Sequence, residues 1–490
     1  VSKKSPTFCP AKWAELIINP IQKKSYGCCK AIESTYVSDP KKHIYKEQEN
    51  LLNGIKDKSC EACWQIEERG HQSLRQDYFN VYPHITEDNC NESQLEQLEI
   101  NVGNVCNFNC AYCGPRFSTA WQSDIKQNGE YSLAISNHEY SQKKPGLLAE
   151  TEISDLIKKY NPKSVLLIGG EPLIIPSVIN APANTDLYPD TIFKIITNLS
   201  DQTMPTIRSL YDNTNAIKLT VSLDCTGDLA EFIRGGLIFD NIVNNIVEVL
   251  ERSSIHLTIM ALINNVTLYD LDKFIFMLDN LPHSDRISVY FNTVATPEIH
   301  SFNAIPEDIK EKHLKKLDRI AEKNIHFINF KYIASAIRVS KYNEALHREL
   351  VDFYSQYAHR NNKDITKLPS EVQEFITCKF DNNSADAILC IGNNTDSTDD
   401  YASAIANEYG LINCGLFDSA GDVTANVYHT SIADTPVNKL FNYIHKFKDI
   451  IILDQAVTDD PIDIAMHHTL MTLGPIITRR YNIPHRIIKI

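Results

Sequence analysis

No uninterrupted apolar run in the 490 residues approaches the roughly 20 that a bilayer-spanning helix needs. That argues against a membrane protein. Positive charge is also in short supply: 48 Lys and Arg stand against 62 Asp and Glu, a formal net charge of −14. Nonspecific nucleic-acid binding runs on phosphate neutralisation by Lys and Arg, so a nucleic acid is not the expected partner. There is no internal repeat and no long low-complexity tract. The opening Val-Ser-Lys-Lys-Ser-Pro leads into no apolar secretion core, and the expected compartment is the cytoplasm. Apolar residues make up 43% and charged residues 22%, the balance of a folded chain rather than a disordered or fibrous one. The length exceeds one ordinary core and sets the expectation at about two to four domains.

A disulfide framework is not expected either. The 13 cysteines are an odd number with no export signal before them. Clustered thiols in such a chain point to metal or catalysis. The cysteines crowd toward the front, most of them before residue 114. Cys225, Cys378, Cys390 and Cys414 are scattered and read as small buried hydrophobes.

Residues 1–95 are polar and Cys-rich with weak periodicity. From residue 96 short β-branched or aromatic runs recur at 97–102, 164–168, 192–197, 217–223, 256–262 and 286–291, with helical patterns between them. Alternating strand and helix predicts parallel βα units. Six such units predict an α/β fold, a partial (β/α)6 barrel, with chemistry on the loops after the strands. The expected division is 1–95, a barrel over 96–315, a helical connector over 316–375 with a linker at 361–369, and an α/β domain over 376–490.

The first strand runs into Cys106-Asn-Phe-Asn-Cys110-Ala-Tyr112-Cys113. Three thiolates on one loop hold three corners of a 4Fe–4S cube and leave the fourth iron open to chelate a small ligand. Zinc prefers four tetrahedral ligands, and this spacing suits it less well. The second strand ends in Gly169-Gly170-Glu171-Pro172, the third in Thr197-Asn198, and the fourth in Ser222 and Asp224. Arg234 and Asn264 follow the fourth and fifth strands.

This set of motifs resembles the radical S-adenosylmethionine superfamily over about 300 residues. The resemblance implies a 4Fe–4S cluster on Cys106, Cys110 and Cys113. It implies S-adenosylmethionine bound at the open iron, reductive cleavage of that cofactor to a 5′-deoxyadenosyl radical, and hydrogen abstraction from a substrate. It places Tyr112, Gly169, Gly170, Glu171 and Pro172 at the cofactor, with the glutamate receiving its ammonium group. It places Thr197, Asn198, Ser222, Asp224 and Asn264 at further cofactor contacts, and Arg234 at its carboxylate. Turn capping is the plain alternative for Asp224 and Asn264.

Cys9, Cys28-Cys29 and Cys60-Glu-Ala-Cys63 form a second thiol set. They resemble the SPASM/twitch auxiliary domains of radical enzymes, here placed before the barrel rather than after it. The resemblance implies a second 4Fe–4S cluster held by Cys9, one of Cys28 and Cys29, Cys60 and Cys63. Structural zinc is the alternative. Trp64, Arg69, Arg75, Tyr78, Arg116 and Trp121 read as packing or solvated helix faces.

The last 110 residues faintly resemble an SGNH hydrolase, with Asn394 where that family carries its serine, Ser397 beyond it, and Asp463 and His467 late in the chain. A nucleophile needs a base within reach, and none can be assigned. His429, His467 and His468 read as core or surface residues, and the domain as an inactive accessory module. The expected partners are a flavodoxin- or ferredoxin-type electron donor and a substrate. That substrate is expected to be a peptide or protein side chain, with a sugar- or nucleotide-derived small molecule as the alternative. A non-catalytic iron–sulfur or zinc protein is the rival class, and the Gly-Gly-Glu-Pro loop argues against it.

Overall fold

The computed structural model describes residues 5–19, 24–31, 40–68, 70, 72–131, 133, 140, 150–183, 188–213, 216–321 and 330–378, with 388–392, 414–416, 427–431, 449–454 and 485–489. One sheet contains β1 (Glu15–Asn19), β2 (Lys24–Tyr26), β3 (Gln97–Asn101), β4 (Ser164–Ile168), β5 (Ile192–Thr197), β6 (Ile217–Ser222), β7 (Leu257–Ile263) and β8 (Ile287–Thr293). Their order is β2-β1-β3-β4-β5-β6-β7-β8. From β3 to β8 every neighbouring pair is parallel. This is the partial barrel that the strand spacing predicts. β4 and β5 match their expected bounds. The others differ by one or two residues at their ends.

The residue pattern explains the packing. β7 alternates fully buried Leu257, Ile259, Ala261 and Ile263 with half-buried Thr258, Met260 and Leu262, the period of two that a strand with unlike faces requires. The buried set joins one apolar cluster with Ile242, Ile246, Val249 and Leu250 of helix Phe239–Arg252. Those four recur at helical spacing and form one stripe. Burying each aliphatic side chain in this layer contributes about 1.5–3 kcal/mol relative to leaving it in water.

The Cys-rich segment shares this sheet. β1 lies parallel to β3 with Leu16 opposite Leu98, and β2 is antiparallel to β1. It also has its own apolar cluster, built on Phe8, Trp13, Leu51, Trp64, Tyr78 and Ile85. Beyond the barrel come helices Glu307–Ala321, Phe330–Val339, Glu344–Arg360 and Ser370–Ile376. The stretch 361–369 is not the loose linker its polar sequence predicts. Leu368 is buried, and Lys363 Nζ donates to the Glu231 carbonyl at 2.9 Å.

A second sheet, all parallel, has the order β10-β11-β9-β12-β13, where β9 is Ile388–Gly392, β10 Cys414–Leu416, β11 Val427–Ser431, β12 Asp449–Asp454 and β13 His485–Lys489. Two of these strands lie within a residue of those expected at 387–391 and 449–453. The helices expected at 401–409 and 436–447 lie outside the described residues, as do Arg69, Asn394, Ser397, Asp463, His467 and His468. Among the described residues, no helix is long and apolar enough to cross a membrane.

Candidate active site

Six parallel strands put the loops that follow them on one rim, and the residues singled out from sequence lie on those loops. After β3 the chain passes through Cys106, Cys110 and Cys113. The main chain of this loop is held almost residue by residue. Thr119 Oγ1 accepts from the Cys106 amide (3.1 Å) and donates to the Cys106 carbonyl (3.0 Å). Ser118 Oγ donates to the Phe108 carbonyl (2.6 Å). Tyr357 Oη, Trp121 Nε1 and Tyr140 Oη donate to the successive carbonyls of Asn109, Cys110 and Ala111, each at 2.9 Å. The amides of Asn109 and Ala111 donate to the carbonyls of Gly235 (3.0 Å) and Ile233 (2.7 Å).

With these polar groups engaged, the thiols are what the loop presents to a ligand. Cys110 is buried, and Cys106 and Cys113 are half-buried. Burial, and then the neighbouring Cys110, push the Cys106 thiol up to about 12. Burial likewise pushes Cys110 and Cys113 upward. Three thiolates packed together without a cation are unfavourable, and a bound metal reverses that balance by displacing their protons. Three thiols on one loop fit three corners of a cubane, in which each thiolate holds its own iron, better than the four tetrahedral ligands of zinc. Two buried side-chain amides on the same rim, Asn104 Nδ2 and Asn264 Nδ2, have no hydrogen-bond partner. Such donors ordinarily meet a partner, an ordered water or a ligand.

The Gly169-Gly170-Glu171-Pro172 loop packs directly on the cysteine loop. The Gly170 amide donates to the Gly103 carbonyl (2.8 Å) and the Glu171 amide to the Val105 carbonyl (2.7 Å). A Cβ on Gly169 would lie 2.5 Å from Gly103 O, and one on Gly170 would lie 2.3 Å from Val105 O. Here the glycines admit the cysteine loop itself. Glu171 is fully buried. Its two oxygens accept from the Leu173 amide (3.1 Å) and the Asn198 amide (2.5 Å). Burial raises its carboxyl to about 7, against the pull of those amides. Two amide bonds leave each oxygen a further lone pair with which to accept from an arriving group.

Asp224 and Arg234 meet each other. Arg234 Nε and Nη2 donate to Asp224 Oδ2 (2.8 Å) and Oδ1 (3.0 Å). The Tyr112 hydroxyl and the Leu262 amide (2.8 Å) complete the carboxylate's shell. Arg234 Nη1 stands 3.9 Å from Cys110 Sγ. The aspartate and the arginine expected at the cofactor thus form a bidentate pair with each other. Thr197 Oγ1 accepts the Leu199 amide, and Asn198 Nδ2 donates to Asn107 Oδ1 (2.7 Å). Asn264 Oδ1 caps the Val266 and Thr267 amides, which is the turn role. Ser222 is half-buried at the end of β6.

Asn104, Asn107, Thr119, Trp121 and Tyr357 were not singled out for the site, or were read as packing. Asn104 and Asn107 adjoin the motif and were legible there. Thr119, Trp121 and Tyr357 carry no spacing signal.

In the Cys-rich segment, Cys9, Cys28, Cys60 and Cys63 line one narrow pocket with Lys12, Ser59, Arg75 and Tyr78. Cys29 is exposed, with its sulfur 3.9 Å from Tyr78 Oη. Lys12 is buried and ion-paired with Glu47. Burial would lower its pKa, but the Cys60 thiol and Glu47 raise it overall. Burial pushes Cys9 up to about 12.

Residues 100–278 match the family described as the Radical SAM superfamily. No curated protein matches the sequence. Among solved structures, the chain is similar to Streptococcus suis SuiB bound to S-adenosylmethionine, at 13% identity over 61% of this chain and 67% of that one, TM-score 0.34. It is similar to SuiB bound to precursor peptide SuiA, at 14% identity over 62% and 60%, TM-score 0.31. It is also similar to TYW1 with a lysine-pyruvate adduct bound, at 15% identity over 47% and 72%, TM-score 0.27. The chain thus spans about three fifths to two thirds of the SuiB chains.

Proposed function

From the premise that this chain is a radical SAM superfamily enzyme, we propose that it abstracts hydrogen from a peptide or protein side chain. The observation that carries the proposal is a loop with three thiols, a tethered main chain and unpartnered rim amides, on the rim of a partial barrel. Cys106, Cys110 and Cys113 would hold the 4Fe–4S cluster, which with S-adenosylmethionine supplies one-electron reductive cleavage and a hydrogen-abstracting radical. Gly169 and Gly170 hold the cysteine loop against β4. Glu171 ties that loop to the end of β5. The Asp224–Arg234 pair neutralises itself in the buried wall and leaves one guanidinium N–H toward Cys110. Asn104 and Asn264 would offer their free amide hydrogens to the cofactor. A peptide substrate accords with the SPASM/twitch-like cysteine set, whose family includes many peptide-modifying enzymes.

An auxiliary 4Fe–4S cluster on Cys9, Cys28, Cys60 and Cys63 belongs to the same proposal. Four thiols lining one pocket beside a buried Lys12 support it, since that lysine offsets part of the charge of four thiolates. An external one-electron donor is required.

The test uses anaerobically reconstituted full-length protein. Iron and sulfide are counted, and 5′-deoxyadenosine is sought after dithionite and S-adenosylmethionine are added. The expected result is about eight irons, two four-iron clusters, with deoxyadenosine formed. Cys28→Ser should lose about four irons and Cys29→Ser none. About four irons and one zinc would replace the auxiliary cluster with a structural ion. A folded protein with no iron and no deoxyadenosine would overturn the proposal.

A further inference from the structure

We propose that Tyr357, on helix Glu344–Arg360, is a positioning residue that sets the reduction potential of the cluster by locking the cysteine loop to the turn that carries Arg234. The inference rests on the reading that Cys106, Cys110 and Cys113 hold that cluster. The Tyr357 hydroxyl donates to the Asn109 carbonyl at 2.9 Å and accepts from the Gly235 amide at 3.1 Å. One oxygen thus joins two main-chain segments, one directly before Cys110 and one directly after Arg234. The Asn109 amide returns to the Gly235 carbonyl at 3.0 Å, so the junction is closed from both sides.

The surroundings are built for this contact. Tyr357 is fully buried among Trp121, Phe353 and Phe232, with ring centroids 6.1, 5.6 and 6.0 Å away. Packing against these three rings alone would be served by phenylalanine. A buried hydroxyl is costly unless it is paired, and here both of its bonds go to the loops of the site. Position 235 is glycine for the same reason: a Cβ there would lie 2.7 Å from Tyr357 Oη and 2.1 Å from Asn109 Oδ1.

Arg234 converts this mechanical tie into an electrical one. Its guanidinium lies 3.9 Å from Cys110 Sγ and 5.7 Å from the centroid of the Tyr112 ring. Hydrogen bonds to cluster sulfurs and nearby charge set cluster potentials. An N–H donor close to a ligand sulfur favours the more negative, reduced state. Releasing the junction lets the turn carry Arg234 away from Cys110 and makes reduction harder. The helix that supplies Tyr357 lies outside the matched residues 100–278.

The experiment uses the full chain, anaerobically reconstituted, and reads the midpoint potential of the EPR signal that changes on addition of S-adenosylmethionine. Tyr357→Phe should retain the iron count of the unaltered protein and shift the potential downward. The expected change is at least tenfold in the reduction equilibrium, about 59 mV for a one-electron couple. Gly235→Ala attacks the same junction with the tyrosine intact and should shift the potential the same way, so poor folding of one variant leaves the other to decide. Tyr131→Phe removes a hydroxyl from the same aromatic block, 5.4 Å from Phe353 by ring centroid, and should leave the potential unchanged. A loaded Tyr357→Phe protein with an unchanged potential overturns the inference. So does an equal shift in Tyr131→Phe, which would mean general loosening. An unaltered protein with no S-adenosylmethionine-responsive cluster overturns the underlying reading, and this inference with it.

Discussion

Replacing Gly170 with alanine should part the cysteine loop from β4 without unfolding the barrel. The new Cβ would sit 2.3 Å from Val105 O and 2.7 Å from the carbonyl carbons of Asn104 and Val105. A comfortable carbon–oxygen contact is about 3.3 Å or more, so the two segments must separate by about 1 Å. All the close atoms belong to main chain, and no flexible side chain can yield. The separation breaks or stretches the bonds from the Gly170 and Glu171 amides to Gly103 O and Val105 O. Leaving a buried partner unpaired costs about 1–3 kcal/mol, so two such losses come to roughly 2–6 kcal/mol. Domains are stable by about 5–15 kcal/mol. The variant should therefore fold, melt about 2–4 °C lower for each kcal/mol lost, and take up less iron at the barrel site. Gly129→Ala is the comparison: its φ is positive, at 80°, but nothing lies within 4 Å of its Cβ. Its cost is conformational, about 1–3 kcal/mol for a backbone region that is essentially glycine-only, and it should bind iron normally. Melting and iron content for Gly170→Ala that match those of Gly129→Ala would refute the reasoning.

Asp224→Asn removes the carboxylate that pairs Arg234 inside a fully buried wall. An uncompensated buried charge costs about 3–5 kcal/mol, measurable as a lower urea midpoint, and Asp224→Asn combined with Arg234→Met should recover part of it. His300 is fully buried against Tyr140 Oη (2.9 Å) and Tyr354 Oη (3.3 Å), and burial lowers its pKa to about 3. The folded state therefore refuses a proton that the unfolded chain accepts below about 6.5. Its contribution to stability is present above that pH and is lost as pH falls toward 3, with a slope of up to about 1.4 kcal/mol per pH unit. His300→Gln should flatten the pH dependence of the urea midpoint between pH 6.5 and 4, and identical profiles would count against the assignment.

The barrel was legible because each strand is a short run whose alternate residues join the helix-packed layer, and that periodicity is written in local sequence. The cysteines were legible because their spacing is local as well. The choice between Cys28 and Cys29 was not, since adjacent residues differ only in direction, and direction depends on the Cys-rich segment's own core. Asp224 and Arg234 were legible as site positions but not as partners of each other. Sequence gives their position at the strand end, while their pairing follows from a ten-residue return through helix Gly227–Ile233. The aromatic block was invisible for a deeper reason. Trp121 and Tyr357 hold neighbouring carbonyls of one loop from segments more than 230 residues apart, and no pattern within either segment encodes that meeting.

The two faces of the barrel sheet bear on where a substrate can lie. In a closed eight-stranded barrel the interior is a packed core. Here the fully buried positions, such as Leu98, Ile100, Val165, Leu167, Phe193 and Ile195, belong to the cluster shared with the helices. The alternate positions are half-buried, and several are polar: Gln97, Glu99, Asn101, Lys194, Thr220 and Thr258. Lys194 Nζ meets Gln97 Oε1 at 2.7 Å across that face. Burial, then the Cys29 thiol and Glu15, raise the Glu99 carboxyl to about 7. These half-buried groups make this the more polar of the sheet's two faces. β1 and β2 widen the sheet at the β3 edge, so the Cys-rich segment borders that face. The cysteine loop stands at its rim, at the C-terminal ends of β3 and β4. One sheet thus carries the barrel cysteines on its rim and the Cys-rich segment on its edge, with a polar face between them.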